Sequence, residues 1–300
     1  MYAVQFSEFG GPDVMSLGEA PEPHAGPGQV RIAVKAASVN GFDWKVREGY
    51  LSGGKPMAGI TIPGLDAAGV VDEVGEGVTD ASVGDDVFGL GRATQAEFAV
   101  LTSWTAKPSS VDWSAAAAAG VAVETAERAM RLLNVKQGDT VFIDGGAGGV
   151  GATAVQLAVA ANAKVIATAS QDNHDYLREI GASPVLYGEG LVTRVRAMPD
   201  TQIDAVLDVV GKTGIADLIA LAPEPSQVVS IANFEAADFG ARVTSGGEDS
   251  KPFVALPLAA QLLEDSRLVL QVQTFPFDRF VEAYRISQGG HVRGKLVLVP

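Results

Sequence analysis

Short apolar segments separated by glycine and proline dominate the first third of the chain. Their apolar positions predict strands at residues 2–6, 30–36, 68–74, 86–88 and 97–100. Glycine and proline between them, as in Gly26-Pro27-Gly28, mark tight turns. Strands with this spacing are typical of a small, partly closed β-barrel.

The pattern changes after residue 109, where apolar positions recur at helical spacing. Ser114, in front of the alanine run 115–119, predicts a capped helix start, and residues 124–133 predict a second helix. Strand and helix patterns then alternate, with strands at 140–144, 164–169, 184–187, 203–209 and 227–231 and helices at 152–161, 173–180 and 212–221. This alternation indicates a doubly wound parallel sheet. The tail predicts helices at 257–264 and 278–287 and strands at 268–274 and 295–299.

One stretch combines a strand, a glycine turn and a helix. The apolar run 140–144 leads into Gly145-Gly-Ala-Gly-Gly-Val-Gly151, in which Gly146, Gly148 and Gly151 fit the dinucleotide-binding pattern G-x-G-x-x-G. We expect Gly146 to allow a tight turn and Gly148 to let the backbone approach a pyrophosphate. Gly151 would let the helix pack closely on the strand.

The start of the following helix favours an anion. Gly149 and Val150 open this helix, whose first N–H groups have no partner within it. Residues 146–153 also resemble the triphosphate loop G-x-x-x-x-G-K-[ST], which needs a lysine at the β- and γ-phosphates. Ala152 stands in that place, so the stretch predicts dinucleotide binding rather than phosphoryl transfer.

Length and composition narrow the function further. Three hundred residues are enough for two domains with separate cores. The formal charge of −14 and an isoelectric point near 4.6 disfavour nucleic acid and anionic membranes as partners. The chain has no cysteine, which excludes disulfides, thiolate nucleophiles and cysteine-ligated zinc. His24, His174 and His291 lack the spacing of metal ligands, so no catalytic metal is expected.

The sequence shows no signal peptide and no membrane-spanning segment. Residues 1–6 predict a strand rather than a signal peptide. No uninterrupted apolar run is long enough to cross a bilayer. We therefore expect a cytoplasmic protein.

Several motifs stand in an order that resembles a known family. They are residues 37–45 (ASVNGFDWK), 62–71 (IPGLDAAGVV), 84–89 (GDDVFG), 145–157, 204–208 (DAVLD) and 291–295 (HVRGK). With a β-rich half in front of a glycine-loop unit, the chain resembles the medium-chain dehydrogenase/reductase superfamily. Within it, the chain is most similar to the zinc-independent quinone oxidoreductase branch, the group of zeta-crystallin.

The resemblance implies an α/β protein of two domains. Residues 1–113 and 266–300 would form a GroES-like β-barrel catalytic domain. Residues 114–265 would form a Rossmann cofactor domain with a doubly wound parallel sheet. The strand at 268–274 is a candidate extension of that sheet, and a homodimer is expected to form through this edge strand.

One departure from the superfamily's zinc enzymes bears on mechanism. Zinc alcohol dehydrogenases carry G-H-E where this chain has Gly64-Leu65-Asp66. Leu65 cannot bind zinc, and the cysteine ligands are missing as well. The resemblance therefore implies hydride transfer without a metal.

The end of the second Rossmann strand bears on the choice between NAD and NADP. An acidic residue there would bind both ribose hydroxyls and repel a 2′-phosphate, but the position falls at Ala169. Ser170 and Asn173 suit a phosphate, and His174 would add positive charge if it faces inward. Ser170 and Asn173 would equally serve as caps of the next helix. Asp172 and the lack of Arg or Lys in this loop oppose NADP, but NADPH remains the prediction.

The residues expected at the reacting atoms come from the first half of the chain. Hydride transfer needs a group that stabilises charge on the substrate oxygen. In the family the N-x-x-D stretch lies beside the nicotinamide, so Asn40 and Asp43 are catalytic candidates, with Lys45 as a cofactor contact. Tyr50 is a candidate donor to the substrate oxygen. A helix-capping turn explains Asn40 and Asp43 nearly as well, and an ordinary loop aromatic explains Tyr50.

Further positions are predicted to contact the cofactor. Thr125 matches the family threonine that begins the helix under the cofactor, and a mid-helix threonine bonded to a preceding carbonyl is the alternative. The others border the adenine, follow successive strands or precede the last strand; they are Tyr187, Gly211, Ile231, Arg293 and Lys295. Simple solvation is the alternative for the two cations.

These features together predict an NADPH-dependent reductase of quinones or α,β-unsaturated carbonyl compounds. Tyr50 or solvent would supply the proton. An enoyl-thioester reductase is the nearest enzymatic alternative. A non-catalytic NADPH-binding or structural protein is the alternative from another class.

Overall fold

The structure is a computed structural model that describes residues 1–199 and 202–300. These residues form two compact units. Unit 1 comprises Met1–Val121 and Pro252–Pro300, and unit 2 comprises Ala122–Lys251. The chain thus passes between the units after Val121 and after Lys251, whereas the sequence predicts boundaries at 113/114 and 265/266.

Strands prevail in the first part of the chain and alternate with helices in the middle. The first part forms β1 (Tyr2–Phe6), β2 (Met15–Glu19), β3 (Val30–Val39), α1 (Gly41–Arg47), β4 (Asp66–Val74), β5 (Asp86–Arg92), β6 (Phe98–Ala106) and α2 (Trp113–Leu133). The middle forms β7 (Thr140–Asp144), α3 (Gly149–Ala160), β8 (Lys164–Ala169), α4 (His174–Glu179), β9 (Ser183–Leu186), α5 (Leu191–Arg196), β10 (Ala205–Asp208), α6 (Ile215–Leu221), β11 (Val228–Ser230) and β12 (Arg242–Val243). The tail forms α7 (Pro252–Glu264), β13 (Val272–Pro276), α8 (Phe280–Gly289) and β14 (Lys295–Val299).

Unit 1 is built around a closed antiparallel barrel. Its sheet has the order β13-β14-β3-β4-β5-β6, and β3 also pairs with β6, so β3 to β6 close on themselves. Val30 shows the closure directly, because it pairs with Val74 of β4 and with Leu101 of β6. Alternating side chains such as Val30, Ile32 and Leu101 fill the interior. The predicted β-barrel is confirmed.

The tail strand belongs to this sheet and not to the parallel sheet. β13 pairs in parallel with β14, which pairs antiparallel with β3. The predicted extension of the Rossmann sheet by residues 268–274 is therefore wrong. The reason is that β14 offers β13 a free edge within unit 1.

Unit 2 is a doubly wound parallel sheet. Its order, β9-β8-β7-β10-β11-β12, places the first strand of the unit beside the fourth. The nearly continuous apolar strands are buried on both faces. Ile143 faces a core that includes Val155 of α3, and Phe142 faces a core that includes Leu218 of α6. The predicted sheet is confirmed, with the order reversing between β7 and β10.

Helix α2 is one continuous helix, which corrects the prediction of two. The residues between the predicted helices, including Ala122 and Val123, are fully buried, so tertiary contacts hold them helical. Ser114 is not the cap. Asp112 is, because its Oδ1 accepts the N–H groups of Ser114 at 2.9 Å and Ala115 at 3.0 Å. None of the described helices combines the length and apolar character needed to span a membrane.

Candidate functional site

The glycine turn of unit 2 is shaped by close backbone contacts. Gly145 adopts a φ of +93°, and its N–H donates to Thr168 Oγ1 at 2.7 Å. The predicted tight-turn role thus falls to Gly145. Gly146 is needed for a different reason, because a Cβ there would lie 2.6 Å from the Cβ of Ala167. A Cβ at Gly151 would lie 2.0 Å from the carbonyl oxygen of Gly145, so only glycine lets helix and turn meet.

The N-terminus of α3 follows this turn. Gly148 is its N-cap and has no side chain to satisfy the first N–H groups, which include those of Gly149 and Val150. A Cβ on Gly148 would meet nothing closer than 3.9 Å, so the backbone is open on that side. Uncapped N–H groups at the positive end of a twelve-residue helix favour an anionic ligand.

Two buried carboxylates stand at the ends of the strands where the sheet order reverses. Asp144 ends β7 and accepts a hydrogen bond from the hydroxyl of Thr168 at 2.6 Å. Asp208 ends β10, pairs in register with Asp144, and accepts the hydroxyl of Ser230 at 2.7 Å. Burial raises the pKa of Asp144. These bonds join β7 to β8 and β10 to β11 at their ends. No role was predicted for the two carboxylates, although an acidic residue that ends a buried strand is visible in the sequence.

The loop after β8 brings together the residues predicted to select NADP. Ala169 is buried at the strand end, where an acidic residue would stand in an NAD site. The Asn173 amide donates to Ser170 Oγ at 3.1 Å. His174, the first residue of α4, is 8% exposed, and its Nε2 has no hydrogen-bond partner among the described residues. Asn173 occupies the N-cap position of α4 and Ser170 that of the short helical turn before it, although neither side chain forms a capping hydrogen bond.

The loop after β9 is held by one arginine. Arg194 of α5 donates to the carbonyls of Leu186, Tyr187, Gly188 and Glu189, at 2.6 to 3.3 Å. Tyr187 itself is exposed. The guanidinium thus fixes the backbone that carries Tyr187.

The remaining predicted cofactor contacts of unit 2 lie on fixed backbone. Gly211 has a φ of +70° and donates its N–H to Asp208 Oδ1 at 2.7 Å. Ile231 follows β11 and donates its N–H to the carbonyl of Asp208 at 3.0 Å. Thr125 is buried in α2. Asp208 therefore holds the backbone of both Gly211 and Ile231 at the strand ends, whereas Thr125 lies on a separate helix.

In unit 1, the carboxylate of Asp43 caps the start of α1 through the backbone N–H of Asn40. Asp43 Oδ2 accepts the N–H of Asn40 at 2.8 Å and the side-chain amide of Gln95 at 3.3 Å, and Oδ1 accepts the N–H of Gly64 at 3.3 Å. The hydroxyl of Tyr284 donates to Gln95 Oε1 at 2.9 Å. The capping alternative is thus observed, within a larger buried polar cluster.

Burial controls the ionisation of this cluster. It raises the pKa of Asp43 to about 7, with the neighbouring Asp66 adding to the shift and Lys295 opposing it. Burial also raises the pKa of Tyr284 well above its ordinary value. Gln95 and Tyr284 were missed by the sequence analysis, because no local pattern connects them to Asp43.

Lys295 completes the cluster from the last strand. Its ammonium lies 2.5 Å from Oδ1 of Asn40. The amide nitrogen of Asn40 donates to Asp66 Oδ1 at 2.7 Å, and Asp66 Oδ2 accepts the N–H of Val121 at 2.8 Å. Lys295 was predicted as a cofactor contact, and the structure shows its ammonium on Asn40. Arg293, two residues earlier, is exposed.

The other predicted residues of unit 1 lie on the outside of α1 and just after it. Tyr50 is 67% exposed and packs edge-on against the ring of Trp44, with the ring centroids 5.9 Å apart. The ammonium of Lys45 lies 5.8 Å from the centroid of the Trp44 ring. Tyr50 is therefore available to a ligand, with its backbone N–H bound to the carbonyl of Lys45.

The described part of the chain holds no group of three or more His, Cys, Asp or Glu side chains arranged for a metal ion. The position of the missing zinc-ligand histidine is occupied by Leu65, directly before β4. The carboxylate of its neighbour Asp66 accepts hydrogen bonds from Asn40 and Val121.

Two family models match the chain. Residues 26–122 match the alcohol dehydrogenase GroES-like domain, and residues 149–245 match the zinc-binding dehydrogenase domain. The first match lies almost wholly in unit 1 and the second lies within unit 2. The domain order implied by the motifs is confirmed.

Known proteins of similar sequence and structure cover the whole chain. The NADPH-dependent alkenal/one oxidoreductase of Arabidopsis thaliana is 30% identical over all of this chain and 80% of its own length. The quinone oxidoreductase of Coxiella burnetii has a TM-score of 0.86 and 32% identity, covering all of this chain and 99% of its own. A mycobacterial protein solved in complex with NADPH has a TM-score of 0.86 and 26% identity, with full coverage of both chains. The chain therefore belongs to the medium-chain dehydrogenase/reductase superfamily, among its quinone oxidoreductases.

Proposed function

We propose that this protein is an NADPH-dependent oxidoreductase that reduces quinones or α,β-unsaturated carbonyl compounds by hydride transfer, without a bound metal. The observation that carries the proposal is the glycine turn that leads from β7 into the uncapped N-terminus of α3. The relatives support the reaction class, because one is an alkenal/one oxidoreductase and another a quinone oxidoreductase.

The residues of unit 2 fit a dinucleotide with a 2′-phosphate. The open side of Gly148 leaves room for a pyrophosphate at the first N–H groups of α3. Ala169 presents no carboxylate to a 2′-phosphate, and Ser170 and Asn173 offer polar groups beside it. The His174 ring offers a further nitrogen at this loop, because its Nε2 has no hydrogen-bond partner among the described residues. When bound, NADPH supplies the hydride from its nicotinamide ring.

The remaining cofactor contacts are proposed from the same reasoning. Gly149 and Val150 bind the pyrophosphate through their N–H groups, and Tyr187 borders the adenine. The residues that follow the strand ends, or lie on α2, contact the ribose and nicotinamide; they are Gly211, Ile231 and Thr125. Lys45 and Arg293 supply positive charge to the cofactor.

The residues of unit 1 act on the acceptor. Negative charge develops on its oxygen as the hydride arrives, and a hydrogen-bond donor held in place stabilises that charge. The carboxamide of Asn40 and the hydroxyl of Tyr50 are the proposed donors, and Tyr50 or water provides the proton. Asp43 holds the backbone of Asn40. Exposed Leu51 and Ile60 in the following loop suit an acceptor of low polarity.

Oxidation of NADPH in the presence of candidate acceptors tests this proposal. Turnover is expected with quinones, enals or enones, and with NADPH more efficiently than with NADH. Turnover confined to enoyl thioesters would replace this substrate class with that of an enoyl-thioester reductase. Tight NADPH binding without turnover of any acceptor would indicate a non-catalytic protein.

We also propose that the protein is a cytoplasmic homodimer. The net charge of −14 disfavours attachment to anionic membranes. β13 is the edge of the unit 1 sheet and exposes Gln273 and Thr274, so it can pair with a second copy. Light scattering should give the mass of two chains, and Thr274→Pro should reduce it to one. Cell fractionation tests the location.

A further inference from the structure

We propose that Lys295 is a positioning residue, which holds the side-chain amide of Asn40 in one orientation and thereby aims its second N–H at the reacting molecules. This inference rests on the proposed function, in which Asn40 donates a hydrogen bond to the acceptor. It differs from the sequence-based prediction, which made Lys295 a cofactor contact. The two roles make different predictions, because a positioning residue acts only through Asn40.

The orientation of the Asn40 amide follows from the chemistry of its two neighbours. An ammonium only donates hydrogen bonds, so the atom that faces Lys295 at 2.5 Å must be the amide oxygen. A carboxylate only accepts, so the atom that faces Asp66 at 2.7 Å must be the amide nitrogen. A flipped amide would set N–H against ammonium and oxygen against carboxylate. Both neighbours therefore select the same orientation.

Asp66 cannot turn away from this contact. Its side chain is fully buried, and its second carboxylate oxygen accepts the N–H of Val121 at 2.8 Å. Its backbone carbonyl accepts the hydroxyl of Thr94 at 3.1 Å. Gly120 packs against it so closely that a Cβ there would lie 2.8 Å from the Cβ of Asp66. The acceptor of the Asn40 amide is thus fixed on two sides.

The sheet fixes Lys295 equally well. β14 pairs with β3 so that Leu296 lies opposite Val39, which places Lys295 beside the residue that follows β3, namely Asn40. The backbone N–H of Lys295 donates to the carbonyl of Gln271 at 2.8 Å. Strand register therefore sets where the Lys295 side chain begins, and its ammonium reaches the Asn40 side chain from there.

Charge gives a further reason for a lysine here. Asp43 and Asp66 are both buried in the cluster. Lys295 is 5% exposed, and its ammonium, which contacts Asn40, supplies the opposite charge. Removing one charge from a buried set leaves the others uncompensated, which is costly. A neutral side chain would thus both release the Asn40 oxygen and weaken the position of the amide.

The consequence concerns the second N–H of Asn40. Asp66 takes one of the two amide hydrogens, and Lys295 and Asp66 together fix the plane of the amide. The other hydrogen therefore points in a set direction. A donor that is oriented before the reaction stabilises developing charge without paying for reorganisation.

A double-mutant cycle tests whether Lys295 acts through Asn40. We expect Lys295→Met and Asn40→Ala each to lower kcat on an accepted quinone or enone, on the order of 10²-fold or less. The double variant should be no slower than Asn40→Ala alone, because Lys295 then has nothing to position. Lys295→Arg should recover part of the rate, and Lys35→Met, at an exposed lysine of β3, should match the wild type. Multiplying effects in the double variant would overturn the proposal.

A second measurement needs no activity. The chain contains five asparagines, so selective 15N-asparagine labelling gives five side-chain amide pairs, and Asn40→Ser assigns one of them. We expect the Asn40 amide to resist solvent exchange in the wild type and to shift and lose protection in Lys295→Met. An unchanged Asn40 signal in a folded Lys295→Met protein would contradict the proposal. A wild type with the expected signal but no turnover would instead refute the proposed function and leave the positioning intact.

Discussion

The ammonium of Lys295 lies 2.5 Å from the amide oxygen of Asn40, although 255 positions separate the two residues. The antiparallel register of β14 and β3 produces this contact, because Leu296 and Val39 are paired one residue further in. A single sheet thus joins the last strand to the loop that carries the predicted catalytic residues. The site in unit 1 depends on that pairing, as the site in unit 2 depends on the glycine turn.

Gly148 and Gly151 should fail in different ways when each is changed to alanine. The methyl group of Gly148→Ala enters open space, so the protein should keep its melting temperature and lose affinity for NADPH at least several-fold. The methyl group of Gly151→Ala would meet the Gly145 carbonyl at 2.0 Å, so the melting temperature should fall as well. Thermal unfolding and cofactor titration separate the two effects.

A third glycine serves as the control for that pair. A Cβ at Gly214 meets nothing within 4 Å, and its φ is −57°, so Gly214→Ala should preserve both stability and binding. Unchanged NADPH affinity in Gly148→Ala would mean that the pyrophosphate does not approach the backbone there.

Ala169→Asp should shift the protein from NADPH toward NADH. The new carboxylate would stand at the end of β8, where it repels a 2′-phosphate and can bind the ribose hydroxyls. We expect the ratio of the two affinities to change about tenfold or more, which corresponds to about 1.4 kcal/mol. Ala237→Asp adds the same charge at an exposed position of unit 2 and should leave the ratio unchanged. Equal ratios in both variants would place the 2′-phosphate elsewhere.

Asp43 should make the folded protein less stable as the pH rises from about 4 to 7. Burial raises its pKa from 3.8 to about 7, so in this range the folded chain keeps a proton that the unfolded chain has released. The stability from this carboxyl is complete below the unfolded pKa and is lost as the pH approaches 7. Asp43→Asn, which does not titrate, should lack this component.

Urea unfolding at several pH values measures that effect as the difference between wild type and variant. Asp144, whose pKa burial also raises, is present in both proteins and cancels. Asp80→Asn, at an exposed carboxyl, is the matched control and should follow the wild type. Parallel pH profiles for wild type and Asp43→Asn would show that Asp43 is ionised normally.

Arg194→Met should loosen the loop that carries Tyr187. The guanidinium binds four consecutive carbonyls of that loop, and its removal leaves them to water. Faster hydrogen exchange is expected at residues 186–190, with NADPH binding weakened by a few-fold if Tyr187 borders the adenine. Arg196→Met, on the same helix, removes a bond to the carbonyl of Ala220, outside this loop, and should leave the loop unchanged.

The parts of the molecule that the sequence predicted well are those with local signals. The glycine turn, the strand before it and the helix after it are contiguous, so the unit could be identified from residues 140–161 alone. The parallel sheet followed from alternating patterns, since a buried parallel strand is apolar throughout. The end of the second strand of the parallel sheet, and with it Ala169, could be located by its distance in sequence from the glycine turn.

The errors arose where tertiary contacts decide the outcome. The break predicted within α2 is absent because Val123 is buried in the fold, which its local sequence does not show. Asp112 and Ser114 are both good capping residues two positions apart, and only the hydrogen bonds distinguish them. The tail strand joined the barrel sheet because β14 presents a free edge, which depends on the whole topology.

The candidate site of unit 1 could be predicted only in part, for the same reason. Asn40 and Asp43 were found because they stand three residues apart in a recognisable motif. Gln95 donates to Asp43, and Tyr284 donates to Gln95 in a hydrogen bond that spans 189 positions. Gln95 lies in the loop between β5 and β6 and Tyr284 lies in α8, so no periodic pattern in the sequence connects them to Asp43.

Hydride transfer from NADPH is tested by following the absorbance of NADPH with purified wild type and a panel of quinones, enals, enones and enoyl thioesters. We predict turnover with at least one quinone or enone, a higher kcat/KM with NADPH than with NADH, and rates that do not change after treatment with a metal chelator. Absence of turnover on every quinone, enal and enone, or loss of activity with the chelator, would contradict the proposed function.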